Sequence, residues 1–259
     1  MTRNSDQPAY AMSSADISRM ALTEELVSLS LRLEIDGGPD PSRAPMTDSD
    51  VDKLAGQLLH EAGDGPLWIF AYGSLIWKPD FDAVDSRAGT ASGWHRSFCL
   101  RLTRWRATAA QPGLMLALRR GGSCKGIVFR LSDVDRLGQL RRMIRREISS
   151  IDDAYSIRWV SVETQDGPVR ALVFWAGPRG DRLSENMPLA SVARLLARAC
   201  GHVGSCAEYL YLTVKHLEEK GIRDRNLWEL QRLVAEEIIS LYCEEIAAPK
   251  PGISPASRA

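Results

Sequence analysis

Leu67-Trp68-Ile69-Phe70-Ala71-Tyr72-Gly73-Ser74-Leu75 is the stretch on which the reading of this chain turns. Leu67 to Tyr72 is an apolar run of strand length, and Gly73-Ser74 ends it in a turn. Backbone N–H groups in such a turn can converge on an anion or a carbonyl oxygen, and glycine lets a ligand come close to the backbone. The same residues also fit an ordinary turn held by the Ser74 hydroxyl. Taken alone, the tripeptide favours that plainer reading.

Downstream the chain alternates short β-type segments with turn signals. Arg96–Leu102, Leu114–Leu118 and Gly126–Arg130 read as strands, with Gly121-Gly122 as a turn between the last two. A helix is expected from about Asp133 to Ser149. Arg158–Val162 and Val169–Trp175 then flank Asp166-Gly167, a strong hairpin signal. From residue 188 the periodicity becomes helical, with helices over Leu189–Cys200, Ala207–Glu219 (closed by Gly221) and from Asp224 to beyond Leu241. Strands enclosing one helix and followed by a helical segment give an α+β fold with a strongly curved or barrel-like sheet.

Upstream, Leu22, Leu26, Leu29 and Leu33 follow helical spacing, and Gly37-Gly38-Pro39-Asp40-Pro41 breaks the chain. A second helix starts at Thr47 with Asp50 closing a capping box, its apolar face made of Val51, Leu54, Leu58 and Leu59. Residues 1–64 are thus expected to be an extension with two short helices, loose over the first 16 or so residues. Residues 65–246 form the main domain, and 247–259 form a disordered tail.

Composition narrows the function classes. Of the 259 residues, 44% are hydrophobic and 25% charged, as in ordinary globular proteins. Lys+Arg and Asp+Glu balance at 33 each, against the basic excess of a nucleic-acid binder. No apolar run reaches the roughly 18 residues of a membrane helix. The first residues lack the pattern of a signal peptide, so a cytoplasmic location is expected. The five cysteines, Cys99, Cys124, Cys200, Cys206 and Cys243, are odd in number and show no CxxC spacing. Reduced thiols are expected, with neither a disulfide framework nor a structural zinc site. The four histidines are scattered, and phosphate-loop, dinucleotide and nucleophile-elbow motifs are missing.

One carboxylate stands out. Leu137, Leu140, Ile144 and Ile148 form the apolar stripe of the predicted 133–149 helix, and Glu147 is three residues beyond Ile144 and seven beyond Leu140. Those are same-face spacings. Burial raises the pKa of a carboxylate and makes it a better base. Spacing alone favours a plainer alternative, a half-buried Glu paired with Arg142, Arg145 or Arg146.

The ordered segments together resemble the ChaC-type γ-glutamylcyclotransferases. Trp68–Pro79 is similar to that family's opening strand and glycine loop. Gly93-Trp94-His95-Arg96-Ser97-Phe98-Cys99, Gln111-Pro112-Gly113 and Gly126-Ile127-Val128-Phe129 are similar to its next signatures. Arg146-Glu147 with Tyr155 and Trp159 resembles the segment bearing the catalytic glutamate. Gly204, Glu208-Tyr209-Leu210 and Gly221-Ile222-Arg223-Asp224 resemble the C-terminal helices. The resemblance covers about residues 66–245. Arg106-Ala107-Thr108 stands where the family has Arg-Gly-Thr, and Ile148–Ala154 is longer than its usual loop.

The resemblance implies a small twisted β-barrel with helices around it and a reaction without metal or cofactor. The substrate implied is glutathione, whose free α-amine attacks its own side-chain amide carbonyl to give 5-oxoproline and Cys-Gly. Glu147 is the implied acid and base. Tyr72, Gly73, Ser74, Leu75, Ile76, Trp77 and Tyr155 are the implied substrate-binding residues. Oligomeric state stays open between monomer and dimer. The rival readings are a cyclotransferase for other γ-glutamyl amino acids or amines, a noncatalytic γ-glutamyl-binding protein, and an interaction protein working through the N-terminal helices.

Overall fold

A computed structural model of the chain describes residues 20–177, 183–184 and 187–247. The expected loose stretches, residues 1 to about 16 and 247–259, lie outside the described residues except for Ala247, which ends the last helix. The elements in chain order are α1 (Glu24–Leu29), α2 (Asp48–Ala62), β1 (Trp68–Ala71), β2 (Ala83–Leu102), β3 (Gly113–Leu131), α3 (Arg136–Glu147), β4 (Ile157–Thr164) and β5 (Gly167–Phe174). They continue with α4 (Leu189–Arg198), β6 (Cys200–Gly201), β7 (Gly204–Ser205), α5 (Cys206–Glu219) and α6 (Arg225–Ala247).

The first five strands close into a barrel in the order β1-β3-β2-β4-β5. β5 meets β1 in parallel, with Trp68 opposite Ala171 and Ile69 opposite Leu172, while the other pairs are antiparallel. Alternation along each strand sorts side chains to two faces. Trp68 and Phe70 of β1, Val160 and Val162 of β4, and Ala171 and Val173 of β5 meet in one cluster that fills the barrel. Their neighbours Ile69, Ala71, Leu172 and Phe174 join the cluster shared with the helices.

Three expectations change. Gly121 and Gly122 do not reverse the chain: β3 runs through them without interruption and pairs with β2 along nearly its whole length. Both have positive φ (101° and 74°) and lie opposite Gly93 (φ 82°), where the register shifts between Ser92 and Trp94. The glycines therefore serve a shared bulge at which the two strands bend together. The first helix stops at Leu29, and Leu33, expected on its apolar face, is exposed. The Ser30 hydroxyl bonds the Val27 carbonyl (2.7 Å) and meets the Ser205 hydroxyl (2.8 Å), so hydrogen bonding at Ser30 ends the helix where the leucine spacing would continue it. α4 likewise ends at Arg198, before Cys200 enters a two-stranded ribbon.

The Thr47–Asp50 capping box is formed as expected. The segment before the barrel packs on the body, and Leu22, Val27, Val51, Ala55 and Leu58 are all buried in the main cluster. The Leu22 N–H donates to Gln231 of α6 at 2.7 Å. α3 is fixed at its start by buried Gln139, which accepts from the Asp82 N–H (3.0 Å) and donates to the carbonyls of Ser132 (3.0 Å) and Val134 (2.8 Å). Leu140, Met143 and Ile144 seal its inner face. No helix among the described residues is long and apolar enough to cross a membrane. None of the five cysteines is joined in a disulfide among the described residues, and burial pushes Cys124 up to about 11 and Cys206 up to about 12.

Candidate active site

The turn after β1 is a short 3-10 segment, Ser74–Ile76. Its internal bonds begin with the Ile76 N–H to the Gly73 carbonyl (2.9 Å), so the N–H groups before Ile76 have no partner inside the turn. That of Ser74 donates to the Tyr209 hydroxyl at 3.3 Å. Gly73 is required here because a Cβ would stand 2.8 Å from that hydroxyl.

Three anchors fix the turn from different elements. Arg96 of β2, whose side chain is 1% exposed, donates from Nε to the Tyr72 carbonyl (2.7 Å), reaches the Lys125 carbonyl of β3, and pairs with Asp224 (3.0 Å). Asp224 also receives the N–H groups of Asn226 and Leu227 at the start of α6 (both 3.1 Å). Arg146 of α3 donates to the Ser74 hydroxyl (3.1 Å) and to the Lys78 carbonyl. On α5, Tyr209, Thr213 and His216 share one face and meet Trp77. Its Nε1 donates to the Thr213 hydroxyl (3.3 Å), and its ring lies edge-on to Tyr209 and stacked with His216.

Glu147 is the last residue of α3. Its side chain is 23% exposed and opens on the same cavity of about 660 Å³ that Tyr72, Gly73, Ser74, Leu75 and Trp77 line. Arg146 Nε stands 3.1 Å from the Glu147 carboxylate, so the ion pair considered from spacing is present and lies at the cavity wall. Burial pushes the Glu147 carboxyl up, Arg146 opposes this, and Asp80 adds to it. Burial also pushes the Tyr72 and Tyr209 phenols up, with the Glu147 charge adding to both, so both hydroxyls stay protonated.

The structure thus brings together Glu147, Tyr72, Gly73, Ser74, Leu75, Trp77 and Tyr155 on one cavity. Ile76 instead points into the main core. Sequence reasoning missed Tyr209, Arg96 and the bridging role of Arg146. The spacing of Tyr209, Thr213 and His216 was the available signal for the first. Among the described residues, no group of three or more His, Cys, Asp or Glu could hold a metal ion.

The barrel and its surrounding helices have the fold of the γ-glutamyl cyclotransferases. A crystal structure of a γ-glutamyl cyclotransferase specific to glutathione from yeast superposes with a TM-score of 0.60 at 18% identity, covering 67% of this chain and 97% of that one. Within that class the chain belongs to the ChaC-like protein family, whose model matches residues 67–237. It is 39% identical over 188 residues to the glutathione-specific γ-glutamylcyclotransferase of Escherichia coli (strain K12), covering 71% of this chain and 80% of that protein. It is 31% identical over 154 residues to the mouse glutathione-specific γ-glutamylcyclotransferase 1, covering 57% and 69%.

Proposed function

We propose that this chain is a glutathione-specific γ-glutamylcyclotransferase in which the glycine turn holds the γ-glutamyl group and Glu147 moves the proton. The observation that carries the assignment of roles is the carboxylate of raised pKa facing the same cavity as the turn, with Arg146 touching both. Family membership supports the reaction itself.

The α-amine of glutathione is an ammonium ion in water and must lose a proton before it can attack. Glu147, held poorly solvated, accepts that proton. The freed amine attacks the side-chain amide carbonyl, and the N–H groups of the turn stabilise the oxygen as it becomes anionic. One such donor is worth about 3 kcal/mol of barrier. Glu147 returns the proton to the departing amide nitrogen as the C–N bond breaks. The attacking nitrogen sheds its second proton as the lactam closes, and that proton ends on the released amine, so 5-oxoproline and Cys-Gly (as its ammonium form) leave with no proton left over. Ring closure is intramolecular, so positioning supplies much of the rate. The protonated hydroxyls of Tyr72 and Tyr209 are donors in the wall, and Tyr155 lines the same cavity.

The main domain spans residues 65–246, with 1–64 as an extension whose described part, residues 20–64, packs on it. The protein works in the cytoplasm on this small molecule and has no nucleic-acid or membrane partner. The test is incubation with glutathione while 5-oxoproline and Cys-Gly are measured together, with Glu147→Gln as control. Equimolar release that vanishes in the variant is the expected result, and full release from the variant would remove Glu147 from its role.

A further inference from the structure

The loop between β2 and β3 holds a feature that the proton transfer does not use. Trp105 has a φ of 66°, in the left-handed region that bulky side chains avoid. It lines the cavity and is 42% exposed. A conformation of this kind costs about 1–3 kcal/mol and persists only where its surroundings hold it. The Arg104 guanidinium lies 4.4 Å over the Trp105 ring. Arg104 in turn donates from Nε and Nη2 to the two oxygens of Asp36, each at 2.7 Å. The His202 ring stands 5.3 Å from the Trp105 ring, with its Nδ1 3.5 Å from Asp36. The Val203 N–H donates to the Trp105 carbonyl at 3.0 Å. The fork–fork pairing with Arg104 holds the Asp36 carboxyl far below the usual carboxylate range. Asp36 precedes the stretch matched by the family, residues 67–237.

The neighbours of Trp105 are cationic. Arg106 pairs with Glu208 and lies 5.7 Å from the Tyr209 ring, whose hydroxyl meets the glycine turn. Arg101 also lines the cavity and makes no ion pair among the described residues. This corner is therefore about one phenol ring away from the turn. Two extended residues span about 7 Å, so a γ-glutamyl group seated on the turn brings a two-residue leaving group to this corner.

Resting on the cyclotransferase reading above, we infer that the Arg101–Trp105–Arg106 corner is the leaving-group subsite. Trp105 covers the dipeptide and Arg101 takes its terminal carboxylate. Asp36, from the segment before the barrel, is a positioning residue that fixes Trp105 through Arg104. The site selects γ-glutamyl peptides that end in a free carboxylate over γ-glutamylamines.

The test is steady-state kinetics of the full chain on glutathione and on glutathione whose glycine carboxylate is amidated, with 5-oxoproline as the readout. The wild type should show a KM about tenfold lower for glutathione than for the amide, the size of one charge-assisted hydrogen bond. Arg101→Gln should erase that difference by raising the KM for glutathione alone. Asp36→Asn should raise the KM for both substrates about threefold, since it loosens rather than removes a contact surface, with kcat and Tm unchanged. Trp105→Phe should behave as Asp36→Asn does. Failure of the wild type to turn over either substrate would sink the cyclotransferase reading itself. Turnover with equal KM for both substrates would overturn the carboxylate assignment alone. An unchanged KM in Asp36→Asn, or a fall in kcat at constant KM, would overturn the positioning role.

Discussion

The two walls of the cavity are built on different plans. The glycine turn is fixed from β2, α3 and α5 by Arg96, Arg146 and Tyr209, and the deepest anchor, Arg96, is almost fully buried. The Trp105 wall rests on a half-exposed clamp, Asp36–Arg104, whose Asp36 lies outside the family-matched stretch. A turn that must aim N–H groups at a developing charge tolerates little displacement, because misplacement there is lost directly from the rate. A wall that only chooses what leaves can rest on surface contacts that change at little cost to the fold. On the proposed reading, the residues that move the proton and those that choose the leaving group rest on different supports, which meet at Arg106 and Tyr209.

The largest break falls on the first wall. Glu147→Gln should lower 5-oxoproline release by about 10²–10⁴-fold, the contribution of a positioned acid or base. Its stability should move the other way. The folded-state pKa of Glu147 is raised, so the folded protein holds this proton more tightly than the unfolded chain, and stability is lost as pH climbs from the unfolded to the folded pKa. Glutamine carries no such cost, so thermal unfolding at neutral pH should give a Tm no lower than that of the wild type.

Arg96→Met comes next. It strands the Tyr72 and Lys125 carbonyls and leaves Asp224 without its partner. Urea unfolding should show a loss of about 3 kcal/mol, the low end for a broken buried pair because Asp224 is partly open to water. Tyr209→Phe removes only the hydroxyl that receives the Ser74 N–H, and kcat/KM should fall about tenfold. The smallest effect is a displacement of the pH profile. Glu147 must be ionised to accept a proton, so activity is lost as pH falls through its raised pKa, above the ordinary glutamate value of about 4.3. Arg146 holds that pKa down, so Arg146→Gln should move the acid limb of kcat/KM to higher pH.

Much of the first wall was legible in the sequence and little of the second. Helical spacing with Leu140 and Ile144 set Glu147 beside the buried face, and the strand located the glycine turn, though each alone favoured a plainer reading. These are local signals, and the collinear signatures joined them. Tyr209 belongs to a helix more than 130 residues downstream of the turn, and only tertiary packing brings them together. The Gly121-Gly122 pair was misread because positive φ serves a bulge as well as a turn, and only the partner strand decides between them. Trp105 carried no local signal, because its φ and its cavity face appear only once the β2–β3 loop is closed.

The parallel pairing of β1 with β5 dictates when the protein becomes competent during synthesis. Trp68 leaves the ribosome about a hundred residues before its neighbour Ala171, and the hydroxyl that receives the Ser74 N–H arrives later still, on Tyr209. Contacts so distant along the chain form late. A nascent chain that has not yet supplied Tyr209 therefore holds its glycine turn without that anchor.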